Sequence, residues 1–323
     1  MARILTGITS NNIPHLGNIL GAVLPAIELS KQSDNESLFF IADLHSLISQ
    51  KNAQLRIDSV NSVAATWLAF DFDTQKNMLY RQSRIPEVCE LTWYLNCFTP
   101  FPMLANAHSF KDKSDRLKEV NSGLFTYPVL MAADIILYDA EFVPVGKDQI
   151  QHIEMARDIA AKINHEYGKD IFVLPEGKID SNVMLVPGID GQKMSKSYNN
   201  FINIFLPEKE LLKVVKTIET DSTPLEESKN FETCNVFNIF KLIASPSQIE
   251  EMKTNYTNGG YGYGHAKTAL YELLLIKFEK ARQTYNTLMA NPELIEKQLI
   301  IGEAKARKIA QEKLEVVRSV LGF

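Results

Sequence analysis

Cysteine is scarce in this 323-residue chain: Cys89, Cys97 and Cys234 are far apart and form no C-x-x-C pair. That count excludes a disulfide framework and argues against a structural zinc or iron–sulfur site. Three reduced thiols in helices or core are expected. Apolar runs are short, and none reaches the roughly 18–20 residues that a membrane helix requires. The opening "MARILTG" has one Arg and then a strand-like run, unlike a secretory signal. A cytoplasmic protein is the expectation. Strong charge of one sign is missing too: 34 Lys and Arg face 39 Asp and Glu, a formal net charge of −5. Non-specific coating of nucleic acid is disfavoured, although a local basic face is compatible with that balance. Walker A, H-E-x-x-H, G-x-S-x-G and EF-hand patterns do not occur. The glycine-rich "NGGYGYGHAK" (258–267) lacks the G-x-G-x-x-G order and reads as a loop entering the helix "HAKTALYELLL".

What is present is the composition of a globular chain, 45% hydrophobic and 23% charged, long enough for two domains. Strand-like and helix-like segments alternate in the first half. "ARILTGI" precedes Leu16, Leu20, Val23 and Ile27 at helical spacing, and "SLFFIAD" (37–43) precedes a stripe of Leu55, Val60, Val63, Ala64, Trp67 and Leu68. "NMLYRQS" (77–83) leads to a helix opened by Pro86, and "EFVPVG" (141–146) to "QIQHIEMARDIAAKI". A last α/β passage, "NVMLVPGIDGQKMSKS", ends near residue 197. The expected fold is α/β: a Rossmann-like parallel-sheet catalytic domain over 1–200, with a helical insertion at about 100–138. An all-helical domain follows over 201–323.

Ligands of such sheets bind beyond the carboxyl ends of the strands, where three polar clusters fall. In "PHLGNILGA", His15 precedes a helix with Gly17 and Gly21 four apart on one face, open to a flat ligand, and a helix start suits phosphate. His15 and Asn18 would add donors; a capped, packed helix is the alternative. In "VPVGKDQIQHIEMARDI", Asp148, Gln149 and His152 share one side while Ile150, Ile153, Ala156 and Ile159 take the other, fit for a sugar or amino-acid head group, with a helix cap and a solvated face as the alternative. In "DGQKMSKSYNN", Lys193 and Lys196 flank Met194 and Ser195 after an apolar strand, with Gly191 as hinge. Paired ammonium groups suit a transferring polyphosphate, although lysines in a surface loop are ordinary by themselves.

The ordered set PHLGN, GKDQIQHIE and KMSKS is similar to the class I aminoacyl-tRNA synthetases, and most to the tryptophanyl-tRNA synthetases. The resemblance spans nearly the whole chain, including "GLFTYPVLMAADIILYDAEFVPVG" and "TDS" at 220–222. It implies activation of L-tryptophan by ATP, with Mg²⁺ held mainly by the ATP phosphates, and transfer to tRNA(Trp). It places ATP against Thr9, Ser10, His15, Gly17, Asn18, Gly146, Asp148, Lys193, Met194, Ser195 and Lys196. His15, Lys113, Lys193, Ser195 and Lys196 would act in catalysis. Tryptophan would meet Leu5, Gly7, His45, Tyr127, Met131, Asp134, Val143, Val145 and Gln149. A bare carboxylate in the apolar "VLMAADIILY" is costly to bury, and the resemblance implies that Asp134 accepts the indole N–H. A bond to backbone or Arg is the other account of it. Such a site rejects side chains that leave its acceptor unpaired.

The resemblance also implies a homodimer, no DNA or membrane partner, and an anticodon-reading helical domain. In that domain Lys305, Arg307, Lys308 and Lys313 are candidate phosphate contacts, against a plain solvated face. Two departures stand out. Ser10-Asn11-Asn12 replaces the family's P-S-G type loop, so Asn11 or Asn12 should adopt a left-handed conformation, and Leu5 replaces a frequent aromatic. Tyrosyl-tRNA synthetase and a catalytically silent RNA-binding paralog are the competing readings. "MAAD" and the GKDQIQHIE helix favour tryptophan, and the intact motif residues favour an enzyme.

Overall fold

The computed structural model describes residues 2–10, 13–31, 35–108, 110–111, 120–146, 149–179 and 185–323. Five parallel strands, β1 (Ala2–Thr9), β2 (Asn35–Ala42), β3 (Met78–Arg81), β4 (Phe142–Val145) and β5 (Glu176–Ile179), lie in the order β3-β2-β1-β4-β5. The chain builds outward from β1 to β3 and then returns to the other side of β1. That reversal opens a crevice between the carboxyl ends of β1 and β4.

Both faces of the sheet are covered, which is why β2 is apolar at consecutive positions. Phe39 and Ile41 join the core beneath the helix Ala53–Ala69, while Leu38 and Phe40 join the core with Val129, Ala133 and Ile153. Between β3 and β4 run the helices Glu87–Phe98, Phe101–Ala105 and Ser122–Ile136, the expected interruption of the sheet.

Several local expectations need correction. Among the described residues the last strand is Glu176–Ile179, and residues 185–188 of the apolar "VMLVPG" run form only an isolated Pro187–Lys193 bridge. Leu55 is solvent-exposed, outside the buried stripe it was assigned to. The helix after His15 contains a wide turn, Ile19–Val23, where Leu24 N–H reaches back five residues to the Ile19 carbonyl.

Beyond residue 205 every described element is helical. The final helix, Pro292–Leu321, returns to cross β3, where Gly302 sits so close that a Cβ would collide with the Leu79 carbonyl. Arg81 meets Glu296 at 2.7 Å and Glu303 at 2.5 Å, and Arg318 meets Glu90 at 2.6 Å. Three of the basic residues considered for phosphate contact are engaged here instead. Lys305 donates to the Gln75 carbonyl, Arg307 to Glu87, and Lys313 pairs with Asp139. Among the described residues no helix is long and apolar enough to cross a membrane.

Candidate active site

The turn after β1 becomes a helix start because His15 and Asn18 cap each other. His15 Nδ1 accepts from the Asn18 N–H, and Asn18 Oδ1 accepts from the His15 N–H, both at 3.2 Å. Burial, and then the nearby Lys196 charge, push the His15 imidazole down to about 4. It is therefore neutral near pH 7, and with Nδ1 accepting, Nε2 carries the proton.

Two bonds join this helix start to the lysine loop. Leu16 N–H donates to the Ile202 carbonyl at 2.8 Å, and Gly17 N–H to the Met194 sulfur at 3.3 Å. Met194 is thus a buried peg, and Lys193, Ser195 and Lys196 are arrayed around it. Burial lowers the Lys196 ammonium to about 8. The loop is shaped by Asn200, which sequence reasoning passed over. Its Oδ1 accepts the Ser195 N–H at 2.7 Å, and its Nδ2 donates to Asp190 at 2.8 Å and to the Lys193 carbonyl at 3.1 Å. Gly188 leaves the space that the Asn200 amide fills.

A second polar line starts at Asp134, 3% exposed on the helix Ser122–Ile136. Burial raises its carboxyl above the usual carboxylate range, against the pull of hydrogen bonds from His45 and Gln82. His45 Nε2 lies 2.9 Å from Asp134 Oδ2, and Gln82 Nε2 is 2.8 Å from both oxygens. Among the described residues neither a backbone group nor an Arg side chain is a partner of the Asp134 carboxylate. His45 stands edge-on to Tyr127, whose hydroxyl is 2.9 Å from His152 Nε2. His152 Nδ1 in turn donates to Gln149 Oε1 at 3.0 Å, just beyond β4. His152 is buried among the apolar residues it was expected to oppose, whereas Ile150 is only half-buried.

The carboxyl ends of β1, β2, β3 and β4 thus carry groups of two kinds: cations and helix N–H groups toward Met194, acceptors and rings toward Asp134. A sequence profile for the class I tRNA synthetases of tryptophan and tyrosine matches residues 1–279. The tryptophan–tRNA ligase of Campylobacter jejuni is 45% identical over 321 residues, 99% of this chain and 100% of its own. The chain belongs to the tryptophanyl-tRNA synthetases.

The Fusobacterium nucleatum tryptophan–tRNA ligase is 44% identical over 323 residues, covering 100% of this synthetase and 98% of its own length. A crystal structure of the Campylobacter jejuni tryptophanyl-tRNA synthetase, complexed with ADP and tryptophan, superposes with a TM-score of 0.96 over 99% of this chain and 100% of that one.

The remaining expected residues of this synthetase fall as follows. Gly7 pairs with Phe40, whose ring an added Cβ would meet at 2.6 Å. Leu5 and Val143 are packed in the core, and Met131 and Val145 lie at its edge. Thr9 is exposed at the end of β1, and Ser10 is buried behind it. Gly146 is exposed, its carbonyl accepting the Gln149 N–H. Lys113, Asp148, Asn11 and Asn12 lie outside the described residues. Gln82 was missed although it follows β3 as a polar residue at a strand's carboxyl end, the same position that singled out Gly146.

Proposed function

We propose that this cleft carries out both steps of a tryptophan–tRNA ligase, the activity that its family gives the chain. The tryptophan carboxylate, already ionised near pH 7, attacks the α-phosphorus of ATP. The bond to the β-phosphate oxygen breaks, and pyrophosphate leaves from tryptophanyl-adenylate. A ribose hydroxyl at the 3′ end of tRNA(Trp) then attacks the acyl carbon, and AMP departs. No base is needed for the first step; alignment and charge stabilisation are.

In this reading ATP lies along the helix start, its ribose toward Gly146 and its phosphates toward His15, Lys193 and Lys196; the ribose and phosphate roles that the family resemblance gives Asp148 and Lys113 fall outside the described residues. Thr9, Ser10, Asn18, Met194 and Ser195 complete that half. Neutral His15 offers an N–H without competing with substrate for a proton. The indole N–H goes to Asp134, its ring between Met131, Val143 and Val145, and its ammonium to Gln149 and Tyr127. Among the described residues no group of three or more His, Cys, Asp or Glu side chains is placed to hold a metal ion. Mg²⁺ in this reading arrives on the ATP phosphates, and no step is routed through a protein-held ion.

The observation that carries the reading is the union of two motifs far apart in sequence through the Gly17–Met194 contact, together with a buried acceptor at Asp134. Tryptophan-dependent exchange of pyrophosphate into ATP tests it. Exchange with tyrosine but not tryptophan overturns the specificity, and none with either overturns the enzyme.

Residues 201–323 are proposed to read the tRNA anticodon, and the protein to act as a homodimer. For the dimer, the helix Glu87–Phe98 exposes Cys89, Trp93 and Cys97 four residues apart on one face, and the next helix, Phe101–Ala105, exposes Phe101. Trp93 and Phe101 are 69% and 70% exposed, an apolar stripe suited to burial against a copy of itself. Light scattering of the wild type and of Trp93→Glu checks it; a monomeric wild type sinks it.

A further inference from the structure

We propose that Gln82 is a positioning residue for amino-acid selection, holding the Asp134 carboxylate in place as an acceptor while anchoring the short helix that carries His45. The inference rests on Asp134 being the group that receives the indole N–H.

Gln82 is 1% exposed, in the turn Gln82–Arg84 directly after β3. Its two amide ends have different partners. Oε1 accepts the Leu44 N–H at 3.1 Å and the His45 N–H at 3.4 Å, at the start of the helix Asp43–Ser46. Nε2 donates to both Asp134 oxygens at 2.8 Å. Flipping the amide would set N–H against N–H and oxygen against carboxylate, so the donor end always faces Asp134.

This orientation bears on selection. A carboxylate offers about four lone-pair sites. The two contacts from Gln82 and one from His45 leave about one for a ligand N–H. A protonated Asp134 would itself become a donor and lose that selectivity. The surroundings push toward protonation: the site is buried, the Asp43 carboxylate is nearby, and Tyr80 on β3, Tyr138 and Cys89 add no cation. Ser83 holds Asp43 by its N–H at 2.9 Å and its hydroxyl at 2.5 Å, occupying that second carboxylate. Of the described residues facing Asp134, His45 and Gln82 are the ones that donate to it.

The test uses the full chain with Gln82→Met, Asp134→Ala and both together. The measurement is kcat/KM for pyrophosphate exchange with tryptophan and with phenylalanine, from about pH 6 to about pH 9. Gln82→Leu, which removes the same donors, replaces Gln82→Met should that variant fail to fold. Losing the donors raises the Asp134 pKa, so the defect must deepen as pH falls. The expected result is an approximately tenfold loss of tryptophan-over-phenylalanine preference near pH 7, larger toward pH 6 and smaller toward pH 9, with KM for ATP little changed. In the Asp134→Ala background, Gln82→Met should change the preference by less than about twofold. A pH-independent loss, an equal loss in both backgrounds, or no loss at all overturns the role of Gln82. Full preference in Asp134→Ala alone overturns instead the assignment of Asp134 on which it rests.

Discussion

The Gly17 amide N–H points at the Met194 sulfur across 3.3 Å, so the helix after β1 and the lysine loop share one contact at the mouth of the cleft. A Cβ on Gly17 would meet the His15 ring at 3.0 Å and Met194 Cβ at 3.4 Å. Gly17→Ala should therefore raise KM for ATP by about tenfold while leaving tryptophan binding near wild type. Pyrophosphate exchange at varied ATP, with tryptophan affinity measured separately, gives both readings.

Lys196 carries its charge below about pH 8 and loses it above. Because its pKa is lowered by burial, phosphate attraction should fade on the basic side, where an ordinary lysine would still be charged. The kcat/KM for ATP, which reports the free enzyme, should fall above about pH 8. Lys196→Arg should remove that limb, since guanidinium stays charged throughout the range. A limb that persists in the Arg variant assigns it to another group.

Asn200→Ala should leave Asp190 and the Lys193 carbonyl without their shared donor, and the Ser195 N–H without its acceptor. Asp190 keeps the Gln192 N–H, so the loss falls on the Lys193 carbonyl and the Ser195 N–H, at about 1–3 kcal/mol each where they are buried. The expected result is a fall in adenylate formation of roughly tenfold or more, with tryptophan affinity within about twofold. A stopped-flow measurement of adenylate formation separates this from a fall in tryptophan binding.

Asp134→Ala should lose tryptophan preference far more than ATP binding. A hydrogen bond to a charged group contributes about 1.5–3 kcal/mol, or roughly ten- to a hundredfold in kcat/KM. Comparing tryptophan with phenylalanine in pyrophosphate exchange measures it; equal losses for ATP and tryptophan would make Asp134 structural.

Gly302→Ala should destabilise the fold by about 1–3 kcal/mol or more, because the helix backbone there lies against the β3 backbone at Leu79. Urea unfolding should show a lower midpoint with little change in slope.

The alternation that marks a parallel sheet was legible because buried strands read as apolar runs and covering helices as stripes. The "SLFFIAD" strand and the Trp67 stripe are the plainest cases. The described end of the "NVMLVPG" run, residues 185–188, forms an isolated bridge and no strand, since an apolar run does not say whether it pairs in a sheet or packs as a loop. Leu55 misled in the other direction, by matching the period at a helix end that the core does not reach.

Asp134 stood out in the chain alone as a carboxylate costly to bury in an apolar helix, whereas His15 and the two loop lysines, ordinary by themselves, were named through the resemblance their motifs carry. Local sequence also carried the capping of the first helix, which needs only residues three apart. The partners were beyond it. Gln82 meets Asp134 across 52 positions, and Asn200 works by filling the space that Gly188 leaves. The last helix, expected to belong with the helical half, lies over β3 because Gly302 lets two backbones touch. Sequence determines which groups are costly to bury. Only tertiary contact decides which neighbours satisfy them, because hydrogen bonds and close packing depend on positions in space that residue spacing does not encode.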